Sequence, residues 1–520
     1  MWRAETSRGH EASKVRWFAI PYLRGRGIDV GCGNDKVLPS AIGVDPVVGI
    51  DGRKIADVQA DGRRLDLFAD ASLDYVFSSH FLEHVEEWRG ALAEWWRVLR
   101  PGGHLILYLP HAHHYPRRGT PGASLDHKHD FVPEDVLEAM KQVMAASGGD
   151  VLEDEERCEG NEYSFFQVYR KGSGGPVSVT PWRRHPRSCL VIRFGGYGDA
   201  LMASSILPHL KREGWWVAFH TEDTGAEALR HDPHVDEFVV APPATLALEQ
   251  LGIYWRALAT RYDRVINLCE AIEGVLLKVP NQAEYYWPDE VRRRLCAFNY
   301  CELLHAIAQV PYGFEQRFHP SPEERQWVLE MAGRERTVAW ALSGSAHHKV
   351  WPWVGPALVQ LLERHPDCRV FLLGGPQDRE KGETLLECLR ACQGRLSGRV
   401  TSLVDRCTMR QAMALAQLAH VVVGPETALL NAVALESNRK VVILSHSTAL
   451  NLTRDWRNAV VVEADRRDVP CSPCHRLHAG TRDCPQRGGF AACASSITVA
   501  QVLEPILAAL QTGTEATAAA

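Results

Sequence analysis

Two glycine-rich turns, each placed directly after a short apolar run, constrain this chain more than any other feature. The first is the segment 28–33, Ile-Asp-Val-Gly-Cys-Gly, and the second is the segment 193–199, Arg-Phe-Gly-Gly-Tyr-Gly-Asp. Glycine at such a turn lets the backbone approach a ligand closely, because a side chain there would collide with it. The sequence therefore predicts two separate nucleotide-cofactor sites at strand ends.

The composition is that of an ordinary globular protein with more than one domain. The chain has 520 residues, of which 45% are hydrophobic and 23% are charged, and this length exceeds what one core usually serves. A net charge of -6 offers no basic surface, so we expect no nucleic-acid partner. The polar N-terminus and the lack of a long apolar run predict a cytoplasmic location.

Short apolar runs alternate with amphipathic stretches along the chain, which is typical of α/β domains with parallel sheets. The segment 171–187 is rich in glycine and proline and is predicted to link a first domain, 1–170, to the remainder. A boundary near residue 320 divides that remainder into two lobes, 188–320 and 321–511. The small, polar tail 512–520 is expected to be disordered.

The first turn begins an ordered series of residues at predicted strand ends. Its candidate binding residues are Asp29, Gly31, Gly33, Asp45 and Asp61. An acidic residue at the end of the second strand, here Asp45, is suited to hold ribose hydroxyls. The series continues in the segments 78–85, Ser-Ser-His-Phe-Leu-Glu-His-Val, and 97–103, Arg-Val-Leu-Arg-Pro-Gly-Gly.

This series resembles that of the class I S-adenosylmethionine-dependent methyltransferases over roughly residues 25–140. The resemblance implies a Rossmann-like domain in which the turn surrounds the methionine end of S-adenosylmethionine, Asp45 holds the ribose and Asp61 lies near the adenine. The chain departs from the family pattern at the segment 34–36, Asn-Asp-Lys, where another glycine is usual, and the usual first helix is shortened or absent. A degenerate domain that only binds an acceptor is therefore the alternative.

Histidines near the first site leave several interpretations open. The segment 80–84, His-Phe-Leu-Glu-His, has the order of an inverted zinc-protease motif, but its place after a strand of the methyltransferase pattern argues against a protease. A second group comprises His111, His113, His114 and the segment 126–130, Asp-His-Lys-His-Asp. This group is interpreted as a solvated loop, an acceptor contact or a metal site.

The second turn precedes an apparent helix and presents an acid at the helix start. Further strand-to-helix turns follow downstream, and a lysine in one of them is suited to bind a diphosphate. The candidate residues are Gly198, Asp199, Ser345, Lys349, Glu426 and Thr427.

This ordered set resembles the heptosyltransferase-like glycosyltransferases of family 9, which have a GT-B fold, over roughly residues 188–510. By resemblance, Asp199 is the general base, Ser345 and Lys349 hold the donor diphosphate, and Glu426 with Thr427 touches donor sugar or phosphate. The implied reaction is inverting transfer from a nucleotide-diphosphate sugar without an obligatory metal. The donor is expected to be ADP-heptose-like, although glutamate at position 426 replaces the family's usual aspartate.

Four cysteines near the C-terminus have the spacing Cys-x2-Cys-x9-Cys-x8-Cys, and they are Cys471, Cys474, Cys484 and Cys493. One interpretation is a structural zinc site with four thiolates. The other is free thiols or a late disulfide, because similar transferases share part of this pattern and need no metal for the chemistry.

Together these features predict a multidomain bifunctional enzyme, a methyltransferase joined to a GT-B glycosyltransferase. We expect it to act on a glycan or glycolipid acceptor in cell-surface glycan synthesis, such as that of lipopolysaccharide, with peripheral contact to the inner membrane surface as one expectation. The alternative is a single active glycosyltransferase that carries a degenerate methyltransferase-like module for acceptor binding. The oligomeric state is left open.

Overall fold

The computed structural model describes residues 11–33, 35–46, 49–50, 53–54, 56–174, 177–179, 185–240, 248–277, 282–333, 335–478 and 480–512. The chain divides into two compact units, residues 1–186 with 240–263 and residues 187–239 with 264–520. Nearly all of the predicted tail, 513–520, lies outside the described residues, as does Asn34. Among the helices that are described, none has both the length and the apolar character needed to cross a membrane.

The first unit is built on one mixed sheet. The strands of this unit are β1 (Gly27–Val30), β2 (Ile42–Asp45), β3 (Gly49–Ile50), β4 (Arg53–Lys54), β5 (Val58–Gln59), β6 (Leu73–Ser79), β7 (Leu99–Pro110), β8 (Gly149–Arg157), β9 (Ser164–Lys171) and β10 (Val177–Val179). Eight of them form the sheet in the order β10-β8-β9-β7-β6-β1-β2-β5, while β3 and β4 form a separate hairpin. Because β1 pairs in parallel with both β2 and β6, the chain order reverses there, and open α/β sheets bind ligands at such a point.

Helices cover this sheet and supply its apolar core. They are α1 (Ala12–Ala19), α2 (Trp88–Val98), α3 (Pro133–Met144) and, numbered in chain order, α7 (Leu248–Ala259). Helix α2 buries Trp95 and Trp96 in this core, and the indole nitrogen of Trp95 donates to the carbonyl of Gly62 at 2.7 Å. The apolar face of α2 therefore fastens the helix to the sheet and to the loop beside the first turn.

The sequence-based domain boundaries differ from the described structure in two places. Residues 177–179, inside the predicted linker, form β10, which pairs in parallel with β8. Helix α7 falls in the predicted lobe 188–320 but belongs to the first unit. Just after it, Arg261 pairs with Glu153 at 2.9 Å and with Glu155 at 2.7 Å, both on β8. Tertiary ion pairing of this kind leaves no signal in a local sequence pattern.

The second unit contains two sheets. Their strands are β11 (Ser188–Ile192), β12 (Trp216–Thr221), β13 (Glu237–Val240), β14 (Arg264–Asn267), β15 (Arg336–Ala341), β16 (Cys368–Leu373), β17 (Val400–Ser402), β18 (Val421–Pro425), β19 (Arg439–Ile443) and β20 (Ala459–Val462). The strand orders are β13-β12-β11-β14 and β17-β16-β15-β18-β19-β20. A small hairpin, β21 (Gln486–Arg487) and β22 (Phe490–Ala491), follows.

Helices pack on both of these sheets. They are α4 (Tyr197–Ser204), α5 (Leu207–Arg212), α6 (Asp223–Ala228), α8 (Ala271–Val275), α9 (Asp289–Leu295), α10 (Tyr300–Ala308), α11 (Pro322–Ala332), α12 (Val354–Arg364), α13 (Arg379–Ser397), α14 (Met409–Leu418), α15 (Ala428–Ala432), α16 (Ala449–Leu452), α17 (Ala492–Ser496) and α18 (Val499–Thr512). One apolar cluster continues from β11 to β16, so the two sheets share a core. The predicted α/β fold class, with one Rossmann-like sheet and a pair of parallel lobes, is confirmed.

Candidate functional sites

The first glycine-rich turn lies at the carboxyl end of β1 and is shaped by packing. Gly31 and Gly33 have φ angles of +73° and +51°, in the left-handed region that favours glycine. A Cβ atom on Gly31 would lie 2.5 Å from a ring carbon of Phe81. The missing side chain at Gly31 is therefore required by the protein's own packing, whether or not a ligand approaches the turn.

The three predicted acids of this site have different surroundings. Asp29 is buried, its carboxylate accepts a hydrogen bond from the Val37 amide at 2.6 Å, and burial raises its pKa to about 7. Asp45, at the end of β2, accepts from the amide of Gly33 at 3.1 Å. Asp61 is half-exposed and pairs with Arg63. The structure therefore brings Asp45 to the glycine turn, whereas Asp29 holds the loop behind it.

Asp199 lies in the first turn of α4, where the second glycine-rich turn positions it. Its Oδ2 accepts from the amide of Gly196 at 2.8 Å, and its Oδ1 accepts from Arg193 at 2.9 Å. The Arg193 guanidinium is buried and also pairs with Glu273 at 2.6 Å. The Arg193 guanidinium is therefore shared by two carboxylates. Sequence patterns gave no role to Arg193 and no signal for Glu273.

An open cleft with an empty volume of about 1280 Å³ lies at the carboxyl ends of strands from both sheets of the second unit. All six predicted donor and base residues line this cleft, namely Gly198, Asp199, Ser345, Lys349, Glu426 and Thr427. Glu273 and His446 line it as well, although the sequence did not indicate them. The cleft therefore joins motifs that are separated by more than 200 residues.

Two groups in the cleft are suited to bind phosphate. The Lys349 side chain packs directly against Gly344. A Cβ atom added at Gly344 would lie only 2.7 Å from Cδ of Lys349. Thr427 precedes α15, and its hydroxyl is buried without a hydrogen-bond partner among the described residues. A buried hydroxyl of this kind is available to a ligand oxygen, because unsatisfied buried polar groups are costly.

Glu426 is held by the loop that follows β19. Its carboxylate lies 2.6 Å from Nδ1 of His446 and accepts hydrogen bonds from Ser445 at 3.0 Å and from Ser447. Burial opposes its ionisation, but His446 and the surrounding donors hold its pKa well below the usual range. Glu426 is therefore an ionised residue that orders this wall of the cleft.

Comparisons with known families find one match in the N-terminal part of the chain and another in the C-terminal part. Residues 28–107 match the family described as "Methyltransferase domain", and residues 295–479 match "Glycosyltransferase family 9 (heptosyltransferase)". The chain carries a methyltransferase domain and a family 9 glycosyltransferase domain. No curated protein matches it.

Solved structures similar to the two domains have low sequence identity. The ADP-heptose lipopolysaccharide heptosyltransferase II of Escherichia coli is 17% identical, with 63% of this chain and 99% of that chain covered and a TM-score of 0.45. A family 9 glycosyltransferase from Veillonella parvula is 13% identical, with 63% and 98% covered and a TM-score of 0.45. A methyltransferase from Archaeoglobus fulgidus is 16% identical, with 31% and 92% covered and a TM-score of 0.23.

The four C-terminal cysteines of the glycosyltransferase domain line a second, smaller pocket. All four are free thiols, and burial raises the pKa of Cys474 to about 12. Cys474 Sγ lies 3.8 Å from Nε2 of His478. Among the described residues, the groups with three or more ligand atoms within 4.8 Å of one another do not include these cysteines. The predicted zinc site stays a prediction.

Proposed function

We propose that the chain is a bifunctional enzyme. Its glycosyltransferase domain transfers a sugar, with inversion, from a nucleotide-diphosphate sugar to a hydroxyl group of a glycan or glycolipid. Its methyltransferase domain transfers a methyl group from S-adenosylmethionine. The observation that carries the proposal is the cleft, in which Asp199, Ser345, Lys349 and Thr427 converge from strand ends of two sheets.

Asp199 is the proposed general base. Inverting displacement forms a bond between the acceptor oxygen and the anomeric carbon while the bond to the diphosphate breaks, and the hydroxyl proton passes to a carboxylate. Arg193 keeps Asp199 oriented by a hydrogen bond at 2.9 Å. Lys349 and the Thr427 hydroxyl are placed to stabilise the charge that develops on the leaving diphosphate, as preorganised donors do.

The donor is proposed to be ADP-heptose-like, and the acceptor a glycan of the cell surface made at the cytoplasmic side of the inner membrane. Both proposals rest on family resemblance together with the phosphate-binding character of the cleft. Met202, which lines the cleft where a histidine is common in the family, and Glu426 are the positions at which sugar preference is expected to differ.

In the methyltransferase domain, Gly31, Gly33 and Asp45 are the residues that would hold S-adenosylmethionine, which supplies the methyl group when bound. The left-handed turn and the Asp45 carboxylate fit a nucleoside at the carboxyl edge of β1 and β2. Asp29 fits a supporting role, because its carboxylate faces the Val37 amide. The alternative is a degenerate acceptor-binding module. The packing of Phe81 on Gly31 is equally consistent with this alternative.

The decisive experiment identifies the donor on the full chain. Mass spectrometry of small molecules retained by the purified protein is followed by transfer assays with a panel of nucleotide-diphosphate sugars. We expect one sugar nucleotide to be retained or turned over. The absence of binding and turnover across the panel at millimolar concentration would reject the glycosyltransferase part of the proposal.

Calorimetry with S-adenosylmethionine separates the two proposals for the methyltransferase domain. Binding followed by transfer of labelled methyl groups to the product of glycosyl transfer is expected for a bifunctional enzyme, since fusion raises the local concentration of a shared intermediate. Absence of binding at millimolar ligand supports the acceptor-binding module instead.

The C-terminal cysteines are proposed to hold a structural zinc ion, with free thiols or a late disulfide as the alternative. Four thiolates favour zinc in tetrahedral geometry. Metal analysis of the purified protein and of the Cys474→Ser variant tests this proposal. We expect the parent protein to contain one more zinc ion per chain than the variant, and equal zinc content in the two proteins contradicts the proposal.

A further inference from the structure

A buried carboxylate lies at the centre of a histidine cluster in the methyltransferase domain. The Glu83 side chain is 0% exposed, and neither of its oxygens accepts a hydrogen bond from a described residue. Its Oε1 lies 3.6 Å from Nδ1 of His80, 3.9 Å from Nε2 of His84 and 3.9 Å from Nε2 of His127. Burying a carboxyl group without hydrogen bonds is unfavourable, so this arrangement calls for a partner.

Backbone hydrogen bonds join these residues to the histidine-rich loop. Glu83 and His84 belong to the single 3-10 turn Leu82–His84 that follows β6. The carbonyl oxygen of Glu83 accepts from the amides of Lys128 at 2.7 Å and His129 at 3.1 Å, which ties the histidine-rich loop to this turn. The loop therefore brings His127 close to Glu83, although the two residues are far apart in the sequence.

The backbone conformation of His80 is a second indication of a binding site. It is not glycine, yet its φ angle is +48°, a backbone conformation that is unfavourable for it and is often found at functional sites. Its Nε2 lies 2.9 Å from Oγ of Ser164, and its Nδ1 faces Glu83. A hydrogen bond to one imidazole nitrogen that leaves the other directed at a common centre is the usual arrangement behind metal-binding histidines.

We propose that Glu83, His84 and His127 bind one divalent transition-metal ion, with His80 beside them. Their ligand atoms already lie within 4.8 Å of one another. One carboxylate oxygen with imidazole nitrogens is a donor set that zinc, iron, cobalt and manganese accept. Three protein ligands leave a coordination position open, as in metal sites that bind a further oxygen ligand.

The site is separate from the residues that the methyltransferase resemblance assigns to the cofactor. Phe81, between His80 and Leu82 in the sequence, packs on the Gly31 turn, so the cluster adjoins that turn at the carboxyl edge of β6. His80, Glu83 and His84 follow one another in the same order as in the inverted zinc-protease motif. The proposed ligand set differs from that motif, because it includes His127 from a distant loop. Metal binding at this cluster depends on neither proposed transfer reaction.

The test uses the full chain stripped of metal and titrated with Mn²⁺ and, separately, with Co²⁺. Mn²⁺ prefers nitrogen and oxygen ligands to thiolates, so it discriminates against the cysteine cavity. We expect about one Mn²⁺ per chain, at least tenfold weaker affinity in Glu83→Gln and His127→Ala, and wild-type affinity in His113→Ala and Cys474→Ser. His113 is exposed and outside the cluster, which makes it a matched control.

Thermal unfolding of the same proteins separates loss of the site from loss of the fold. Mn²⁺ is expected to raise the Tm of the parent protein and of His113→Ala but not that of Glu83→Gln, because a ligand stabilises only the state that binds it. If Glu83→Gln does not fold, His84→Asn takes its place. Absence of Mn²⁺ and Co²⁺ binding at millimolar concentration, or unchanged affinity in the folded cluster variants, would overturn the proposal.

Discussion

Nη2 of Arg193 lies 2.9 Å from Oδ1 of Asp199, and the Arg193 side chain is only 1% exposed. The same nitrogen lies 2.6 Å from Oε1 of Glu273, which lines the same cleft. A buried cation thus holds the proposed base in one orientation, with a second carboxylate beside it. The geometry makes Arg193 a positioning residue for Asp199.

Replacing Asp199 with asparagine should abolish glycosyl transfer while leaving donor binding nearly intact. The change removes the proton acceptor but little volume, so we expect kcat to fall by roughly 10²–10⁴ at similar donor Kd. Steady-state kinetics and calorimetry with the donor measure the two quantities. Asp468→Asn, at an exposed position, is the control, and retained turnover in Asp199→Asn would reject Asp199 as the base.

Arg193→Met should destabilise the glycosyltransferase domain much more than loss of an exposed arginine. Two carboxylates would lose a buried partner, at a cost of about 3–5 kcal/mol in the free energy of unfolding. Arg212 pairs with Glu315 at 2.6 Å but is 55% exposed, so Arg212→Met should lower the free energy of unfolding much less. Denaturant unfolding compares the two variants, and equal costs would contradict the prediction.

Gly344→Ala should raise the donor KM. The new Cβ would lie 2.7 Å from Cδ of Lys349, and this flexible side chain would move away from its place in the cleft. We expect about a tenfold loss in donor affinity, which is the scale of one lost charge-assisted interaction. Gly394→Ala, a helical position with no atom within 4 Å of the new Cβ, should leave KM unchanged.

Gly31→Ala should destabilise the methyltransferase domain more than Gly102→Ala. Both glycines have left-handed φ angles, +73° and +83°, so each alanine carries a backbone cost of roughly 1–2 kcal/mol. Only at Gly31 would the Cβ also meet the Phe81 ring. Thermal unfolding without ligand compares the two variants, and the addition of Phe81→Ala should recover part of the difference. Equal destabilisation would show that packing does not require this glycine.

Asp29→Asn should flatten the pH dependence of stability in the methyltransferase domain. The folded pKa of Asp29 is raised from 3.8 to about 7, so the folded state keeps a proton that the unfolded chain releases. This proton contributes fully to the free energy of unfolding below about pH 4, and its contribution is lost as the pH rises to about 7. The asparagine variant lacks this loss and should gain in Tm relative to the parent protein across that window. A constant Tm difference from pH 4 to 8 would count against a raised pKa.

Much of the candidate glycosyltransferase site was predictable from local patterns. Its six residues lie in the connecting segments after β11, β15 and β18, and parallel strands bring such segments to one edge of a sheet. The ion pairs between residues that are distant in the sequence were not predictable in this way. Glu273 meets Arg193 across 80 residues, and no spacing rule links a carboxylate on a short helix to an arginine that follows a strand.

The order of motifs along the chain was enough to predict two enzyme domains and their α/β class, because strand, turn and helix preferences are local properties. Only the folded chain decided that α7 packs with the methyltransferase domain and that His127 faces Glu83. It also turned Asp29 inward, toward the amide of Val37. These outcomes depend on burial and on charges meeting over long sequence distances, and both are settled by tertiary packing.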